Sequence, residues 1–247
     1  RTVGAFVGEE RVFRYADYEG NPFSVEAPLQ PRLHGSRLEA LWALQNKKPV
    51  IVVASARALL RKIASPKSNL ARPLVLKQGV DLAEHPQGSV SCFEDLAEAL
   101  VAMGYDNSGQ LEGPGTFCVQ GGTIDIFPGN LSYPIRCDFF GDELDEIRRF
   151  LPSTGQTISS LSEVEIFPVR EFRADAASIR RAQRHLAKSA ATNREMRELL
   201  ERLEDDSKEI PDVLTPYLVE EATSVGVYLA KNALTVLIEP RSLFDDA

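Results

Sequence analysis

The feature that most restricts the fold is a series of short segments with alternating apolar and polar residues between Thr116 and Phe150. Short turns rich in glycine separate these segments. Alternation with a period of two predicts β-strands, and short glycine-containing turns between successive strands predict antiparallel pairing. The sequence therefore predicts an antiparallel meander with strands at residues 116–119, 123–127, 133–140 and 143–150.

One helix is predicted immediately before this meander. Ser91 and Glu94 have the spacing of a capping box, and Gly104 is a typical helix stop. Between them, apolar residues recur at helical spacing and define one inward face: Phe93, Leu96, Ala97, Leu100 and Met103. A helix packed on the meander, with a further strand at residues 73–77, would form a small α+β domain of under about 100 residues.

The flanking parts of the chain read as a second domain of α/β type. An apolar run at residues 50–54 is typical of a strand buried on both faces, and Ser55 is a candidate N-cap for the helix that follows it. A capping box at Ser36 and Glu39 predicts another helix. Residues 175–203 are helical in pattern, as one solvated helix or as two with a break near 191–193, and residues 234–238 predict a last buried strand. The α/β domain is therefore interrupted by the α+β domain.

Composition excludes several classes of function. The net charge of −8 and the pI near 5.1 make the chain a poor candidate for a principal DNA grip, because phosphate binding usually needs a basic surface. No apolar run approaches the roughly 20 residues of a membrane span. Three scattered cysteines, Cys92, Cys118 and Cys137, fit a reducing cytoplasm. The charged start at Arg1, without Met, suggests a piece of a longer protein.

Motifs for catalysis, cofactors or metals are not found in the sequence. No P-loop pattern is present, so no nucleotide cofactor is expected, and the cysteines and histidines lack the spacing of a metal site. The acidic cluster at residues 142–146 falls on a predicted hairpin turn, where charges are normally solvated. The basic run at residues 180–188 precedes an acidic run at residues 195–204, which favours an exposed face of mixed charge.

The segment from Pro134 to Phe140 is the most informative candidate for a binding site. Alternation places Ile135, Cys137 and Phe139 on an apolar face, and it places Arg136, Asp138 and Phe140 on the other. An arginine beside a large aromatic residue is typical of an interface anchor. The alternative is that Phe140 is covered by a loop and that Arg136 pairs with Asp138. Spacing alone does not separate the two interpretations.

The motifs at residues 115–128, 134–143 and 147–150 together resemble the UvrB-like module of bacterial transcription-repair coupling factors. Residues 15–22 and 36–39 resemble the family's segment before the strand at 50–54, and residues 167–172 resemble its exit from the small domain. The resemblance covers nearly the whole chain and is weakest at residues 175–218.

The resemblance implies a degenerate RecA-like domain, related to P-loop NTPases, at residues 1–71 and 167–247, interrupted by a UvrA-binding domain at residues 72–166. It implies that Arg136 and Phe140 contact UvrA. A second family arginine is replaced here by Gln120. The module would be a non-catalytic, cytoplasmic adaptor. The motor with its ATP and magnesium, and the contacts with double-stranded DNA and RNA polymerase, would lie outside these residues.

UvrB, the damage-loading subunit of nucleotide excision repair, is the alternative within the same family. UvrB carries a long tyrosine-rich hairpin in its first domain, whereas residues 23–31 are short here and contain no tyrosine. The resemblance therefore favours the coupling factor.

Overall fold

The computed structural model describes residues 2–18, 29–46, 49–84, 90–204 and 210–239. The chain divides into two compact units. Unit 1 consists of Arg1–Leu29, Ala40–Ala71 and Glu171–Ala247, and unit 2 consists of Gln30–Glu39 and Arg72–Arg170. Unit 2 is thus inserted in the sequence of unit 1.

Helices and strands alternate in the first part of the chain, strands follow one another in the middle, and three helices precede the last described strand. The first part contains α1 (Thr2–Val7), β1 (Val12–Tyr15), α2 (Pro31–Gln45), β2 (Ile51–Ala54), α3 (Ala56–Leu60) and β3 (Ile63–Ala64). Next come β4 (Leu74–Lys77), α4 (Phe93–Ala102), β5 (Asp106–Asn107), β6 (Thr116–Gln120), β7 (Thr123–Ile126), β8 (Ile135–Phe140), β9 (Glu143–Phe150), β10 (Thr157–Leu161) and β11 (Glu163–Ile166). The last part contains α5 (Ala176–Ala190), α6 (Arg194–Glu204), α7 (Thr215–Leu218) and β12 (Ala222–Thr223).

Unit 2 is built around a six-stranded sheet in the order β10-β9-β8-β7-β6-β5. The four predicted strands β6 to β9 pair as an antiparallel meander, as alternation predicted. The sheet is nevertheless mixed, because the two-residue strand β5 pairs in parallel with β6. Strand β4 does not join it and pairs with β11 instead.

One face of this sheet forms the core of unit 2 together with helix α4. The register places alternate residues of neighbouring strands opposite one another, such as Ile124 against Cys137 and Cys137 against Ile147. The fully buried members of this core are Leu96, Leu100, Phe117, Ile124, Ile126, Ile135, Cys137 and Ile147. Burial of this much apolar surface is the main source of stability for the domain.

Helix α4 begins differently from the sequence-based prediction. The backbone N–H of Ser91 and its hydroxyl bond to Asp95 and not to Glu94. The backbone N–H of Phe93 donates to Asp142 Oδ1 at 2.8 Å, so an acidic residue of a distant turn occupies the helix N-terminus. The carboxylate stabilises the positive end of the helix dipole. Gly104, with φ +90°, lies just beyond the helix end, as predicted.

Helix α2 is longer than the capping box at Ser36 predicts, because it begins at Pro31 and places Ser36 inside the helix. Its N-terminal half contacts the loop between β7 and β8 through two glycines. A Cβ on Gly129 would lie 2.0 Å from the Pro31 carbonyl oxygen, and a Cβ on Gly35 would lie 2.4 Å from the Asn130 nitrogen. This backbone contact explains why Gln30–Glu39 groups with unit 2, although the sequence-based division assigned residues 1–71 to the other domain.

Glu39, on the same helix, is a half-buried carboxyl with a displaced pKa. The pKa of Glu39 is raised to about 7, mainly by burial and also by the negative charge of Glu165, while a hydrogen bond with the Asn130 side chain opposes the shift. An acid whose pKa is raised in the folded state is most stable when protonated. The contribution of Glu39 to the free energy of unfolding is complete at pH values below its unfolded-state pKa of about 4.5, and it is lost as the pH rises through about 7.

We expect Glu39→Gln to remove this pH dependence. A neutral amide leaves no carboxylate to ionise in the buried site, so the variant should be more stable than the wild type by about 2 kcal/mol at pH 9 and by much less at pH 5. Urea unfolding at the two pH values measures the difference. Glu163→Gln, at an exposed position on β11, is the control and should show no such pH-dependent gain. An equal effect of Glu39→Gln at both pH values would contradict the prediction.

Unit 1 contains the predicted βα unit. Strand β2 passes into α3, and the Ser55 side chain accepts a hydrogen bond from Ala58 N at 3.1 Å, which confirms the predicted N-cap. Strand β2 pairs in parallel with β1. The prediction of a strand buried on both faces is wrong, because Ile51 and Val53 are exposed. In the described residues, β1 is the sole pairing partner of β2, so no described strand pairs with the other edge of β2.

The helical region after Glu171 forms two packed helices, α5 and α6, with a break at residues 191–193, which is the second of the two arrangements that the sequence allowed. Asp175 caps α5 by accepting a hydrogen bond from Ser178 N at 2.7 Å. The shared core of the two helices and α7 consists of Phe172, Ala182, Leu186, Leu199, Leu203, Leu214 and Leu218. Each helix therefore has one apolar stripe and one charged, solvent-facing side.

The predicted last strand at residues 234–238 is wrong. The segment has no regular secondary structure, and Leu234, Val236, Leu237 and Ile238 are exposed. An apolar run forms a strand only where a neighbouring strand satisfies its backbone groups, and no described strand pairs with it. Within the ranges that the structure covers, no helix is both long enough and apolar enough to cross a membrane.

Candidate functional site

The second face of the unit 2 sheet carries the residues that sequence alternation placed opposite the core. We call it the polar face. Its members, aligned by the strand register, are Cys118, Gln120, Thr123, Asp125, Arg136, Asp138, Phe140, Glu146, Arg148, Phe150 and Ser160. It combines buried and exposed charges with an aromatic residue at each end of the charged set, so it is chemically distinct from the opposite face.

Arg136 lies in the middle of the polar face and is held in place by two neighbours. Its Nε and Nη2 atoms donate to the two carboxylate oxygens of Asp125, each at 2.7 Å. Its guanidinium carbon lies 5.0 Å from the centre of the Phe150 ring. The hydrogen bond to Asp125 is the main cause that raises the pKa of Arg136 above its ordinary value. The guanidinium is therefore fixed in orientation, although 34% of the side chain is exposed.

A second charge network lies beside the first on the same face. Arg148 is paired with Asp138 and lies 3.4 Å from the carboxylate of Glu146. Thr123 donates its hydroxyl to Asp138 at 2.8 Å. Ser160 extends the network by bonding to Glu146. Cross-strand pairs of opposite charge stabilise a sheet by only a few tenths of a kcal/mol to about 1 kcal/mol each, so their main effect here is to order the side chains.

Phe140 ends β8 and is 87% exposed, which is unusual for a large aromatic side chain on an ordered strand. It precedes the turn formed by Gly141 and Asp142, and Glu143 lies opposite it. The turn between β6 and β7 lies at the same end of the sheet, because Phe139 N donates to Gly122 O at 2.8 Å. Two hairpin turns therefore flank the exposed ring.

Gln120 lies on the neighbouring hairpin, at the end of β6, and is exposed. The register runs from Gln120 to Thr123 and then to Asp138, which is two residues before Phe140. Within the described residues the Gln120 side chain has no hydrogen-bonding partner. The structure thus brings Gln120 and Phe140 to one end of the polar face, with Arg136 further along the same strand as Phe140.

The sequence left two interpretations of this strand open, and the structure rejects the second one. Phe140 is not covered by a loop, and Arg136 pairs with Asp125 on the adjacent strand and not with Asp138 on its own strand. Residues two apart on a strand lie about 7 Å apart, whereas directly opposed residues are close neighbours. Sequence reasoning missed Asp125 and Arg148, although the alternation of β7 and β9 already placed both on the polar face.

Metal and thiol chemistry find no support at this site. Across the described ranges, no group of three or more histidine, cysteine or acidic side chains is placed to hold a metal ion. All three cysteines are free. Burial raises the pKa of Cys118 and of Cys137 above the ordinary thiol value, which keeps both groups protonated at neutral pH.

Unit 2 is thus a small α+β domain whose mixed sheet has one core face and one face of ordered, charged side chains. The family model described as the UvrB interaction domain matches residues 86–172, from the segment before α4 to the segment after β11. The chain belongs to the UvrB-like family of modules that contain this domain.

Two groups of relatives share this module. The chain is 31% identical over 173 residues to the transcription-repair-coupling factor of Haemophilus influenzae, which covers 70% of the chain and 14% of that protein. It is 38% identical over 136 residues to the factor of Myxococcus xanthus, covering 55% and 11%. It is 30% identical over 195 residues to UvrABC system protein B of Bifidobacterium longum, covering 77% and 26%. The chain thus spans about a quarter or less of these relatives, and the two groups are about equally distant.

Proposed function

We propose that this chain is the adaptor module of a transcription-repair coupling factor and that it recruits UvrA during transcription-coupled nucleotide excision repair. The binding surface would be the polar face of unit 2, with Phe140 and Arg136 as anchors and Gln120 at its rim. The presence of a UvrB interaction domain supports a protein partner in the Uvr system.

The observation that carries the proposal is the exposure of Phe140. A phenyl ring that is 87% exposed gains little in the isolated domain, whereas its burial by a partner would contribute about 1.5–3 kcal/mol. Interfaces concentrate their binding energy in a few aromatic and arginine residues surrounded by polar neighbours. Phe140, Arg136 and the charge network around Arg148 have this arrangement.

The geometry of Arg136 supports its role as an anchor. The bidentate pair with Asp125 and the contact with Phe150 order the guanidinium before any partner arrives. A side chain that is already ordered loses less conformational entropy on binding. Arg136 has further N–H donors beyond the two that Asp125 occupies, and these can serve a partner.

In this proposal unit 1 is a degenerate RecA-like domain that supports unit 2 and performs no catalysis. The parallel pair β1-β2 and the capped helix α3 agree with an α/β domain of that class. The ATP-dependent motor, the contact with double-stranded DNA and the contact with RNA polymerase would belong to other parts of the parent protein.

We expect Phe140→Ala to weaken the binding of UvrA about tenfold, which corresponds to about 1.4 kcal/mol. The ring contacts solvent in the free chain, so its loss should leave the melting temperature unchanged. Isothermal titration calorimetry of the chain with purified UvrA measures the affinity.

Tyr133→Ala is the matched control for this experiment. Tyr133 is also an exposed aromatic residue, and it lies in the connection between β7 and β8, at the opposite end of the sheet from Phe140. Its removal should not change the affinity. Equal affinity of the Phe140→Ala variant and the wild type would remove Phe140 from the interface and leave the proposed surface without its anchor.

The alternative function is that of UvrB itself, which the equal distance of the UvrABC system protein B relatives keeps in consideration. A UvrB module would take part in ATP-dependent loading on damaged DNA. Residues 23–31 are short and contain no tyrosine, where UvrB carries a long tyrosine-rich hairpin, and this favours the adaptor. Gel-shift assays of the parent protein distinguish the two, because only a UvrB would be loaded onto damaged DNA by UvrA in the presence of ATP.

A further inference from the structure

We propose that helix α5 carries a second binding surface, separate from the proposed UvrA-binding surface. This second surface binds the phosphate backbone of double-stranded DNA. The surface consists of Arg180, Arg181, Arg184 and Lys188, which we call the α5 cations. None of these residues belongs to the polar face of unit 2, and the inference does not depend on which partner binds that face.

The charge of α5 is the first observation. Its 15 residues contain four permanent cations and no aspartate or glutamate, although the chain as a whole has a net charge of −8. The sequence suggested that the acidic run at residues 195–204 compensates this charge. The structure places that run on a different helix, α6, where Arg194 and Glu198 form their own ion pair at 2.8 Å. No described carboxylate of α6 forms an ion pair with a cation of α5.

The pairing of the individual cations is the second observation. Arg181 is occupied, since it bonds to the Leu218 carbonyl and lies 3.6 Å from Glu220. Arg180, Arg184 and Lys188 are exposed, and none of the three has a carboxylate partner among the described residues. Like charges spaced four residues apart destabilise a helix by about 0.2–0.5 kcal/mol per pair. Such a destabilising arrangement of charges is expected to persist in a sequence where the charges bind a partner.

The shape of the surface is the third observation. A shallow groove of about 650 Å³ runs along the exposed side of α5, and its lining residues are Ala177, Arg180, Arg181, Gln183, Arg184 and Ala187. The two alanines keep the groove open beside the arginines, so an extended anion can approach the helix. Arginine suits this task because its planar guanidinium binds phosphate oxygens in a bidentate manner.

Spacing and chemistry favour a duplex over other anionic partners. From Arg180 to Lys188 the helix rises about 12 Å, over which one strand of a duplex presents three to four phosphates. Single-stranded nucleic acids are usually held by aromatic side chains on which the bases stack, and the described residues that line the groove include none. The surface would therefore bind the backbone of duplex DNA without sequence preference, as an accessory contact.

The test is fluorescence anisotropy of a labelled 20-base-pair duplex titrated with the full chain at low and moderate salt. Three phosphate contacts predict a slope of about −2.7 in log K against log salt, so affinity should fall about 40-fold between 50 and 200 mM salt. The triple variant Arg180→Gln, Arg184→Gln and Lys188→Gln should bind at least about tenfold more weakly at 50 mM salt, with a slope near zero. Thermal melting confirms that it folds, as expected from the removal of like-charge pairs.

A matched control removes the same amount of charge from the neighbouring helix. Arg194→Gln, Arg197→Gln and Arg202→Gln on α6 should leave DNA binding almost unchanged. An equal loss in the two triple variants would show that only net charge matters and would overturn the assignment to α5. Absence of wild-type binding at 50 mM salt, or binding of polyglutamate in its place, would overturn the assignment to DNA.

Discussion

Gly129→Ala is expected to lower the free energy of unfolding by about 3 kcal/mol, through overpacking of a contact that has no room for a methyl group. The added Cβ would lie 2.0 Å from the Pro31 oxygen and 2.7 Å from the Pro31 carbon. Both atoms belong to the backbone at the start of α2, so no side-chain rotation relieves the clash. The loop between β7 and β8 or the helix would have to move.

Urea unfolding followed by circular dichroism measures this loss. Gly113→Ala is the control, because Gly113 has no atom within 4 Å of an added Cβ and needs no left-handed backbone conformation. It should be neutral or slightly stabilising, since alanine restricts the unfolded chain. Equal stability of the Gly129→Ala variant and the wild type would show that the contact between α2 and this loop is looser than the structure indicates.

Arg136→Ala is expected to be the second most damaging substitution, with a loss of about 3 kcal/mol in unfolding free energy. The Asp125 side chain is only 10% exposed, so removal of its partner leaves a carboxylate that water reaches poorly. Breaking a buried pair costs 3–5 kcal/mol, and the partial exposure of Arg136 places this pair at the lower end. The same substitution would also weaken UvrA binding if Arg136 is an anchor.

A double substitution separates the effect on folding from the effect on binding. Asp125→Ala together with Arg136→Ala removes both charges, so it should recover about 2 kcal/mol of the stability lost in Arg136→Ala. UvrA affinity should stay low in both variants, because both lack the guanidinium. Recovery of affinity in the double variant would show that Arg136 acts only by stabilising the sheet. A melting temperature of Arg136→Ala equal to that of the wild type would contradict the stability prediction.

Much of the fold could be predicted from local patterns. Alternation located β6 to β9, and helical periodicity located α4, α5 and the break before α6. These patterns are strong because one side of each element is buried in a core. Strand β5 could not be predicted, because two residues are too few to show a period. The start of α2 was missed because a helix that begins at Pro31 and contains Gly35 lacks the usual cap and has a weak apolar pattern.

The candidate site was predictable in part and for the same reason. The period of two placed Arg136 and Phe140 on the face opposite the core, and this assignment needed only the sequence. Prediction of the residues that surround Arg136 and Phe140 would have required the register of the sheet. Asp125 precedes Arg136 by 11 positions and becomes its partner only because β7 and β8 pair with these residues directly opposed.

The apolar runs at residues 50–54 and 234–238 show the limit of sequence patterns. Composition alone predicts buried strands in both places, yet Val53 and Leu234 are exposed. A run of β-branched and aliphatic residues favours burial. Whether the run is buried depends on which other elements of the fold cover it.

The amino-acid sequence by itself determined the order of α4 and strands β6 to β9, the inward and outward faces of these strands and the concentration of cations in one helical segment. These properties depend on the spacing of residues along the chain. The tertiary structure alone decided that Asp125 holds Arg136, that two hairpin turns leave Phe140 in solvent and that no described acid of α6 forms an ion pair with a cation of α5. Each of these depends on which distant residues become neighbours, and that is set by strand register and helix packing.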